Sequence, residues 1–124
     1  MNGISTLLLH VTDPAETARF YETIFGCAPV EASPTFVLFV LPSGPALGLW
    51  KKDGVEPAPK GVIGGSEIGI RVDSNKDVDC MHALWTSKGA EIVMPPANLD
   101  FGRSFVATDP DGHRLRVYAI ADET

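Results

Sequence analysis

The most suggestive side chains in this sequence are aromatic ones placed on predicted strands. Trp50 ends the apolar run 46–50, where it shares a strand face with Gly48. A glycine at that point leaves space beside the indole into which a flat molecule could come close. Phe36 and Phe39 lie on opposite faces of the preceding predicted strand, so one of them should reach the same surface, and the pattern does not decide which. Rings of this kind stack on planar molecules, which is binding chemistry.

A few polar side chains are also candidates for contact with a ligand or a metal. By strand parity His10 lies on one face with Thr6 and Leu8 and could contact a ligand. His113 directly follows a tight turn and is expected to be structural. Two histidines without a third donor do not make a metal site, which takes about three protein ligands and an open position. Arg103 and Ser104 alternate along a predicted strand, so only one of them can face a ligand. Phe101 should begin that strand after a proline-containing loop and could act as a lid.

Several classes of function find no support in the sequence. It contains no nucleophile–base arrangement, no glycine-rich phosphate loop and no pair of carboxylates spaced for acid–base work. A net charge of -6 without a cluster of basic residues argues against binding nucleic acid. No apolar run is long enough to cross a bilayer, and the N-terminus lacks a secretion signal. We therefore expect a cytoplasmic protein with neither nucleic acid nor membrane as a partner.

An internal repeat must position these residues. The first copy starts with the alternating run 6–13 and continues as a helix-like stretch that ends at Gly26. The second copy starts with the run 67–74 and continues as a helix-like stretch that ends at Gly89. Each copy leads into short strand-like runs, at 35–41 and 46–51 in the first and at 90–94, 101–107 and 114–120 in the second. The pattern predicts one domain of two fused βαβββ modules, at 1–52 and 66–124, joined by a linker at 53–65.

Both predicted helices carry start signals. Asp13 is placed to cap the first helix, with Pro14 at its first position and Glu16 in its first turn. Ser74 or Asn75 would cap the second helix. Each helix has one apolar stripe and should cover one face of its sheet. The other face then needs the partner module, a second subunit or a ligand.

The turn 109–113, with the sequence Asp-Pro-Asp-Gly-His, carries a family resemblance. With the paired modules and the Phe20-Tyr21 and Gly26 positions of the first helix, it resembles the vicinal oxygen chelate superfamily of glyoxalase I, bleomycin- and fosfomycin-resistance proteins and extradiol dioxygenases. The resemblance covers nearly the whole chain. It implies an α+β fold in which two βαβββ modules form curved mixed sheets around a ligand cavity. The helices would lie on the outer faces, and a homodimer would complete the structure.

Shorter runs resemble one subgroup of that superfamily. They are 66–70, 77–79, 101–103 and Arg116-Val117, and they are similar to runs in the phenazine-antibiotic resistance proteins. Those proteins are non-catalytic and sequester a planar tricyclic drug. The resemblance therefore implies a small planar aromatic ligand and no cofactor.

The same resemblance identifies where metal-using relatives hold their ion. Their ligands come from the first strand of each module and from the strand after the turn, and those positions are Thr6, Glu67 and Arg116 here. Only Glu67 is a good ligand, and a guanidinium repels a divalent cation. If the two strands lie side by side, Arg116 would pair with Glu67 and form a polar floor. A surface ion pair of little energetic value is the alternative.

Three functions follow from these observations. The preferred one is non-catalytic binding and sequestration of a phenazine-like planar antibiotic, which would confer drug resistance without catalytic residues, metal or cofactor. The alternative is a metal-dependent enzyme of glyoxalase or dioxygenase type with an atypical site made of Glu67, His10 and an unrecognised ligand. A sensor or scaffold for another small molecule is the third, and the sequence does not separate it from the first. The expected ligand contacts are His10, Phe36, Phe39, Trp50, Glu67, Phe101, Arg103, Ser104, Arg116 and Tyr118.

Overall fold

The computed structural model describes residues 3–121 and places them in two α-helices and eight strands. The chain divides into two compact units between Ile63 and Gly64, and each unit carries one βαβββ repeat with one four-stranded sheet. The predicted α+β fold of two mixed sheets is confirmed, and neither sheet closes on itself. No helix within 3–121 is long and apolar enough to cross a membrane. The order is β1 (Thr6–Val11), α1 (Pro14–Phe25), β2 (Glu31–Ala32), β3 (Phe36–Val40), β4 (Ala46–Lys51), a 3-10 turn (Lys52–Gly54), β5 (Glu67–Arg71), α2 (Asn75–Ser87), β6 (Glu91–Leu99), β7 (Gly102–Thr108) and β8 (Arg114–Ile120).

The first unit is a sheet in the order β1-β4-β3-β2, with β1 parallel to β4 and the other pairs antiparallel. Helix α1 packs against β3 and β4. Because strand side chains alternate, one sheet face supplies the core beneath the helix and the other is left open. The core side chains are Leu9, Val11, Tyr21, Ile24, Val37, Phe39, Leu47 and Leu49, all buried.

The N-terminus of α1 forms as its sequence predicts. The Asp13 carboxylate accepts hydrogen bonds from the backbone N–H groups of Ala15 and Glu16 at 3.1 and 3.4 Å, and Pro14 needs no partner for a missing N–H. The helix ends at Gly26, whose φ of 69° is the left-handed conformation that glycine adopts without strain. Local chemistry therefore defines both ends of this helix.

The second unit is a sheet in the order β5-β8-β7-β6, with β5 parallel to β8. Of the two predicted caps for α2, Ser74 is the one that acts, because its hydroxyl accepts the Asp77 N–H at 3.1 Å. Helix α2 packs across β6, β7 and β8. The core beneath it consists of Val78, Trp85, Phe105, Ala107, Leu115, Val117 and Ala119, all buried.

Two strand predictions need correction. The sequence pattern omitted β2, which is only two residues long and carries no readable alternation. It also assigned Pro95-Pro96 to a loop, whereas both prolines lie inside β6. That strand is at the edge of its sheet and has two register shifts around these residues, so prolines that cannot donate hydrogen bonds are tolerated there. Phe101 consequently lies in the β6–β7 turn and does not begin a strand.

The Asp-Pro-Asp-Gly-His motif builds the turn between β7 and β8. The buried Asp109 carboxylate accepts the backbone N–H groups of Asp111 and His113, both at 2.9 Å. Gly112 has a φ of 88°, and a Cβ at Gly64 would lie 2.7 Å from the Asp111 carbonyl oxygen, so both positions require glycine. His113 is buried as well, with its backbone N–H held by Asp109. The motif thus sets where β8 begins, and with it the position of Arg116.

Candidate ligand-binding faces

The open side of the first sheet is an aromatic face, by which we mean Leu8, His10, Phe36, Leu38, Gly48 and Trp50. Strand register places these side chains together, since Trp50 lies between His10 on β1 and Phe36 on β3. Both neighbouring rings stand edge-on to the indole, each at 6.5 Å between ring centres, with interplanar angles of 82° and 87°. The indole is only partly buried. The face can therefore offer ring surface to a ligand.

The space predicted beside Trp50 is filled. A Cβ at Gly48 would lie 2.6 Å from Leu8 Cδ2 and 3.0 Å from Phe36 Cζ, so the glycine makes room for a neighbouring ring and not for a ligand. Phe36 accordingly lies on the aromatic face. Phe39 points the other way and is fully buried in the core beneath α1, so it is not carried forward as a ligand contact.

The side of the second sheet away from α2 is an arginine face, by which we mean Glu67, Gly69, Ser104, Arg114, Arg116 and Tyr118. Parallel pairing of β5 with β8 sets Glu67 opposite Arg114 and Gly69 opposite Arg116. Antiparallel pairing of β7 with β8 adds Ser104, opposite Tyr118. Residues in register across a sheet share a face, so the predicted neighbours Glu67 and Arg116 do meet.

Arg116 makes a forked ion pair with Glu67. Its Nε donates to Glu67 Oε2 at 3.0 Å and its Nη2 donates to Glu67 Oε1 at 3.3 Å. The remaining nitrogen, Nη1, donates to the hydroxyl of the fully buried Ser104 at 3.1 Å. The Arg116 side chain is 20% exposed, against 51% for Arg114, whose Nε lies 3.7 Å from Glu67 Oε1. Arg116 is thus less exposed than Arg114 and better aligned with Glu67, and a forked pair holds its two side chains more firmly than a single exposed contact does.

The arginines lower the pKa of the Glu67 carboxyl. The main cause is the hydrogen bonding from Arg116, which acts against the partial burial of the carboxylate, and the positive charges of Arg116 and Arg114 add to it. Glu67 therefore stays ionised to a lower pH than an isolated glutamate, whose pKa is 4.5.

Replacing Glu67 by glutamine should cost stability at neutral pH and progressively less on acidification. Because the folded pKa lies below 4.5, the contribution of the carboxylate is complete well above that value and is lost as the pH falls through the lower folded pKa. Urea unfolding of both proteins between about pH 7 and about pH 3 measures the difference directly. A difference that stayed constant over that range would contradict the ion pair.

The donor set does not fit the divalent ion that the resemblance implies for metal-using relatives. Both carboxylate oxygens of Glu67 accept hydrogen bonds from Arg116, and the other position in that unit is Arg116 itself. Thr6 supplies only a hydroxyl. Within residues 3–121, no three histidine, cysteine, aspartate or glutamate side chains are grouped so that they could hold a metal.

Arg103 and Ser104 point to opposite sides, as their alternation requires, and Ser104 is the one on the arginine face. Arg103 lies on the helix side, where its Nε donates to Asp79 Oδ1 at 2.9 Å and its Nη1 donates to Asn98 Oδ1 at 3.0 Å. It joins α2 to β6 and β7. The expectation that Arg103 contacts a ligand is therefore not carried forward.

Tyr118 and Phe101 form an aromatic pair at one end of the arginine face. Their ring centres are 6.1 Å apart with an interplanar angle of 79°. Tyr118 Cε1 lies 3.3 Å from where a Cβ of Gly69 would be, which repeats the way Phe36 lies over Gly48. Sequence reasoning missed this role of Gly69, although in both repeats a glycine lies diagonally across from an aromatic residue on a neighbouring strand, and this could have indicated it. It also missed Leu8 and Arg114.

The fold has close counterparts among known proteins. The sequence model of the Glyoxalase/Bleomycin resistance protein/Dioxygenase superfamily matches residues 3–117, and the chain belongs to that superfamily, as the resemblance implied. It is 33% identical over 113 residues to the phenazine antibiotic resistance protein EhpR of Enterobacter agglomerans, covering 89% of this chain and 86% of the relative.

Two solved structures illustrate the similarity in shape. Protein ATC0852 of Agrobacterium tumefaciens, known from solution NMR, is 43% identical with a TM-score of 0.84, and the match covers 98% of this chain and 100% of that one. A glyoxalase-related enzyme of Fulvimarina pelagi has a TM-score of 0.81 at 22% identity, over 96% of this chain and 88% of that one. At that identity the second likeness demonstrates the shared fold alone.

Proposed function

We propose that this protein binds and sequesters a planar aromatic small molecule of the phenazine type and does not transform it. The observation that carries the proposal is the forked pairing of Arg116 with Glu67. It engages both oxygens of the best candidate metal ligand and places a cation at a second position where metal-using relatives would have a ligand. Catalysis through a metal there would require breaking this pair.

The choice of ligand rests on a relative and on the aromatic residues. A relative at 33% identity is a phenazine antibiotic resistance protein. Trp50, Phe36 and His10 on one unit and Tyr118 and Phe101 on the other provide ring surface. Each stacked pair adds only about 0.5–1.5 kcal/mol beyond buried area, so most of the affinity would come from burial of the ligand.

The arginine face would orient an acidic substituent on the ligand. Two arginines share one glutamate there, which leaves an excess of positive charge in a chain whose net charge is -6. Arg116 is held by Glu67 and Ser104, so its position is fixed before a ligand arrives. In this proposal Glu67 acts only through Arg116. The protein would work in the cytoplasm as a homodimer of single-domain subunits and confer drug resistance.

Titration with phenazine-1-carboxylic acid, followed by tryptophan fluorescence, tests the proposal. Trp50 lies on the aromatic face, whereas Trp85 belongs to α2 and is fully buried, so variants that keep only one of the two tryptophans separate their signals. We expect quenching that persists in Trp85→Phe and is lost in Trp50→Phe. Calorimetry of Trp50→Ala should show affinity reduced by about tenfold, equivalent to about 1.4 kcal/mol.

Three results would count against this function. One is the absence of quenching at micromolar ligand, and another is equal quenching in Trp50→Phe and the unaltered protein. The third is chemical conversion of the phenazine, which mass spectrometry of the recovered compound would detect. A stoichiometric transition metal in protein purified without chelator would favour the metal-dependent alternative.

A further inference from the structure

A groove of about 730 Å³ lies on the helix side of the first unit, between α1 and the segment that joins β2 to β3. We call it the helix-side groove. Pro14, Ala18 and Val37 are buried residues of its lining, and Arg19, Glu22 and Lys51 are charged residues of the same lining. Val37 belongs to the sheet face opposite the aromatic face, so the groove is distinct from the proposed phenazine surface. Its volume is within the usual range for small-molecule sites.

The internal repeat explains why space remains at this point. Asp13 and Ser74 cap the two helices, and the fifth residue after each cap is Ala18 in the first unit and Asp79 in the second. In the second unit Asp79 pairs with Arg103 at 2.9 Å and thereby links helix to sheet. The equivalent residue of the first unit is Ala18, whose methyl group cannot form an ion pair between helix and sheet.

The sheet face beneath α1 also carries a smaller side chain than the equivalent face beneath α2. Phe36 and Ser104 are equivalent because they pair in register with Trp50 and Tyr118, so the next residues, Val37 and Phe105, are equivalent too. Phe105 fills the second unit, with its ring centre 5.4 Å from that of Trp85. Valine is much smaller, and its use at the equivalent position lowers the floor of the groove.

The edge strands complete the difference. Strand β6 has nine residues and packs against α2, whereas β2 has two residues and α1 packs mainly against β3 and β4. Three differences between the repeats therefore open the same region. The first unit has alanine in place of aspartate, valine in place of phenylalanine, and a short edge strand in place of a long one. The second unit shows that this fold does not itself require the groove.

Three charged side chains at the groove have no ion-pair partner in the described part of the chain. Among residues 3–121, Arg19, Glu22 and Lys51 have no oppositely charged group within ion-pair distance. Asp13 also lines the groove, but its carboxylate accepts two backbone N–H groups of α1. Two cations and two anions thus line the groove, and its formal charge is balanced. A ligand of one charge would meet as much repulsion as attraction, whereas a ligand with both charges can be complemented at each end.

We propose that the helix-side groove is a second small-molecule site, specific for a zwitterion with an apolar body. The apolar part would lie on Ala18 and Val37, a carboxylate would be met by Lys51 or Arg19, and an ammonium would be met by Glu22. This site is independent of the phenazine-binding proposal, since it uses the other face of the sheet.

Three forms of one dipeptide test the charge class. Leucyl-phenylalanine is zwitterionic, its N-acetyl form is an anion and its C-terminal amide is a cation, while the apolar body stays nearly the same. Titrations of the full-length protein followed by ¹⁵N–¹H NMR should shift the amide signals of Ala15, Ala18, Ser33 and Val37. We expect the zwitterion to bind about threefold to fivefold more tightly than either capped form, since exposed ion pairs are worth up to about 1 kcal/mol.

Rim variants test the residues without disturbing the core. Glu22→Gln should abolish the preference for the zwitterion over the N-acetyl form, which lacks the ammonium. Lys51→Gln should abolish the preference over the amide, which lacks the carboxylate. Glu16→Gln, on an exposed position of the same helix outside the groove, is the matched control and should keep the preference. All of these variants should retain the quenching by phenazine-1-carboxylic acid if that function is correct, so the two proposals can fail separately.

Two results would overturn the second site. One is equal affinity for the three dipeptide forms, which would remove the charge class. The other is the absence of shifts at the groove amides at about 10 mM dipeptide, well above the concentration needed for a millimolar site.

Discussion

Arg116→Ala should lower the free energy of unfolding by about 2 kcal/mol, the usual range for hydrogen bonds to charged groups. The substitution removes both donors to Glu67 and the donor to the buried Ser104 hydroxyl. Ser104 is fully buried, so its hydroxyl cannot turn to water for compensation. Urea unfolding at neutral pH, analysed for an unchanged slope, measures the loss. The same variant should weaken binding of phenazine-1-carboxylic acid.

Arg114 provides the matched control on the same strand face. Its side chain is 51% exposed and lies 3.7 Å from Glu67, so Arg114→Ala should cost less than about 0.5 kcal/mol. Arg116→Lys keeps the charge and loses the fork, and we expect an intermediate cost. Equal losses for Arg114→Ala and Arg116→Ala would mean that the pair is an ordinary surface interaction and not a fixed polar floor.

Gly102→Ala should have the largest effect on stability, a loss of about 3 kcal/mol or more. Gly102 has a φ of 149°, which L side chains rarely adopt, and a Cβ there would collide with the backbone carbonyl oxygen of Ala119 on β8. A carbonyl in the β7–β8 pairing cannot move aside without disturbing the sheet. Thermal unfolding, together with the yield of folded protein, measures the effect.

Gly61→Ala is the control for this substitution. A Cβ at Gly61 would meet nothing within 4 Å, and its φ is not in the left-handed region. Its replacement should be neutral, or stabilising by up to about 1 kcal/mol, because alanine restricts the unfolded chain. A Gly102→Ala protein as stable as Gly61→Ala would show that the β6–β7 turn can rearrange, and the placement of Phe101 beside Tyr118 would then also be in question.

The features that the sequence predicted correctly are local ones. Asp13 and Ser74 cap helices because a short side chain can reach an N–H two or three residues ahead. The turn at 109–113 forms because Asp109 accepts N–H groups within four residues of itself. Interactions over so few residues are encoded in the order of side chains, and so the repeat and the superfamily were recognisable before the fold was known.

The site was predicted less completely, because its residues meet across strands. Parity put Phe36 and Phe39 on opposite faces but could not identify which face the helix would cover. Parity also separated Arg103 from Ser104 without deciding which of them would turn towards α2. The expected space beside Gly48 is filled by Leu8 and Phe36, each from a different neighbouring strand. Strand β2 and the prolines within β6 were missed because edge strands follow the periodicity weakly.

The sequence by itself determined the internal repeat, the start of both helices, the end of α1, the β7–β8 turn and the superfamily, since each rests on neighbours along the chain. The tertiary structure alone decided that Arg116 forks onto Glu67, a residue 49 positions away, and that Ser104 accepts the third hydrogen bond. It also decided that an aromatic face lies on one unit and an arginine face on the other. Side-chain direction in a sheet depends on register and on the covering helix, and both are fixed only when distant segments pack.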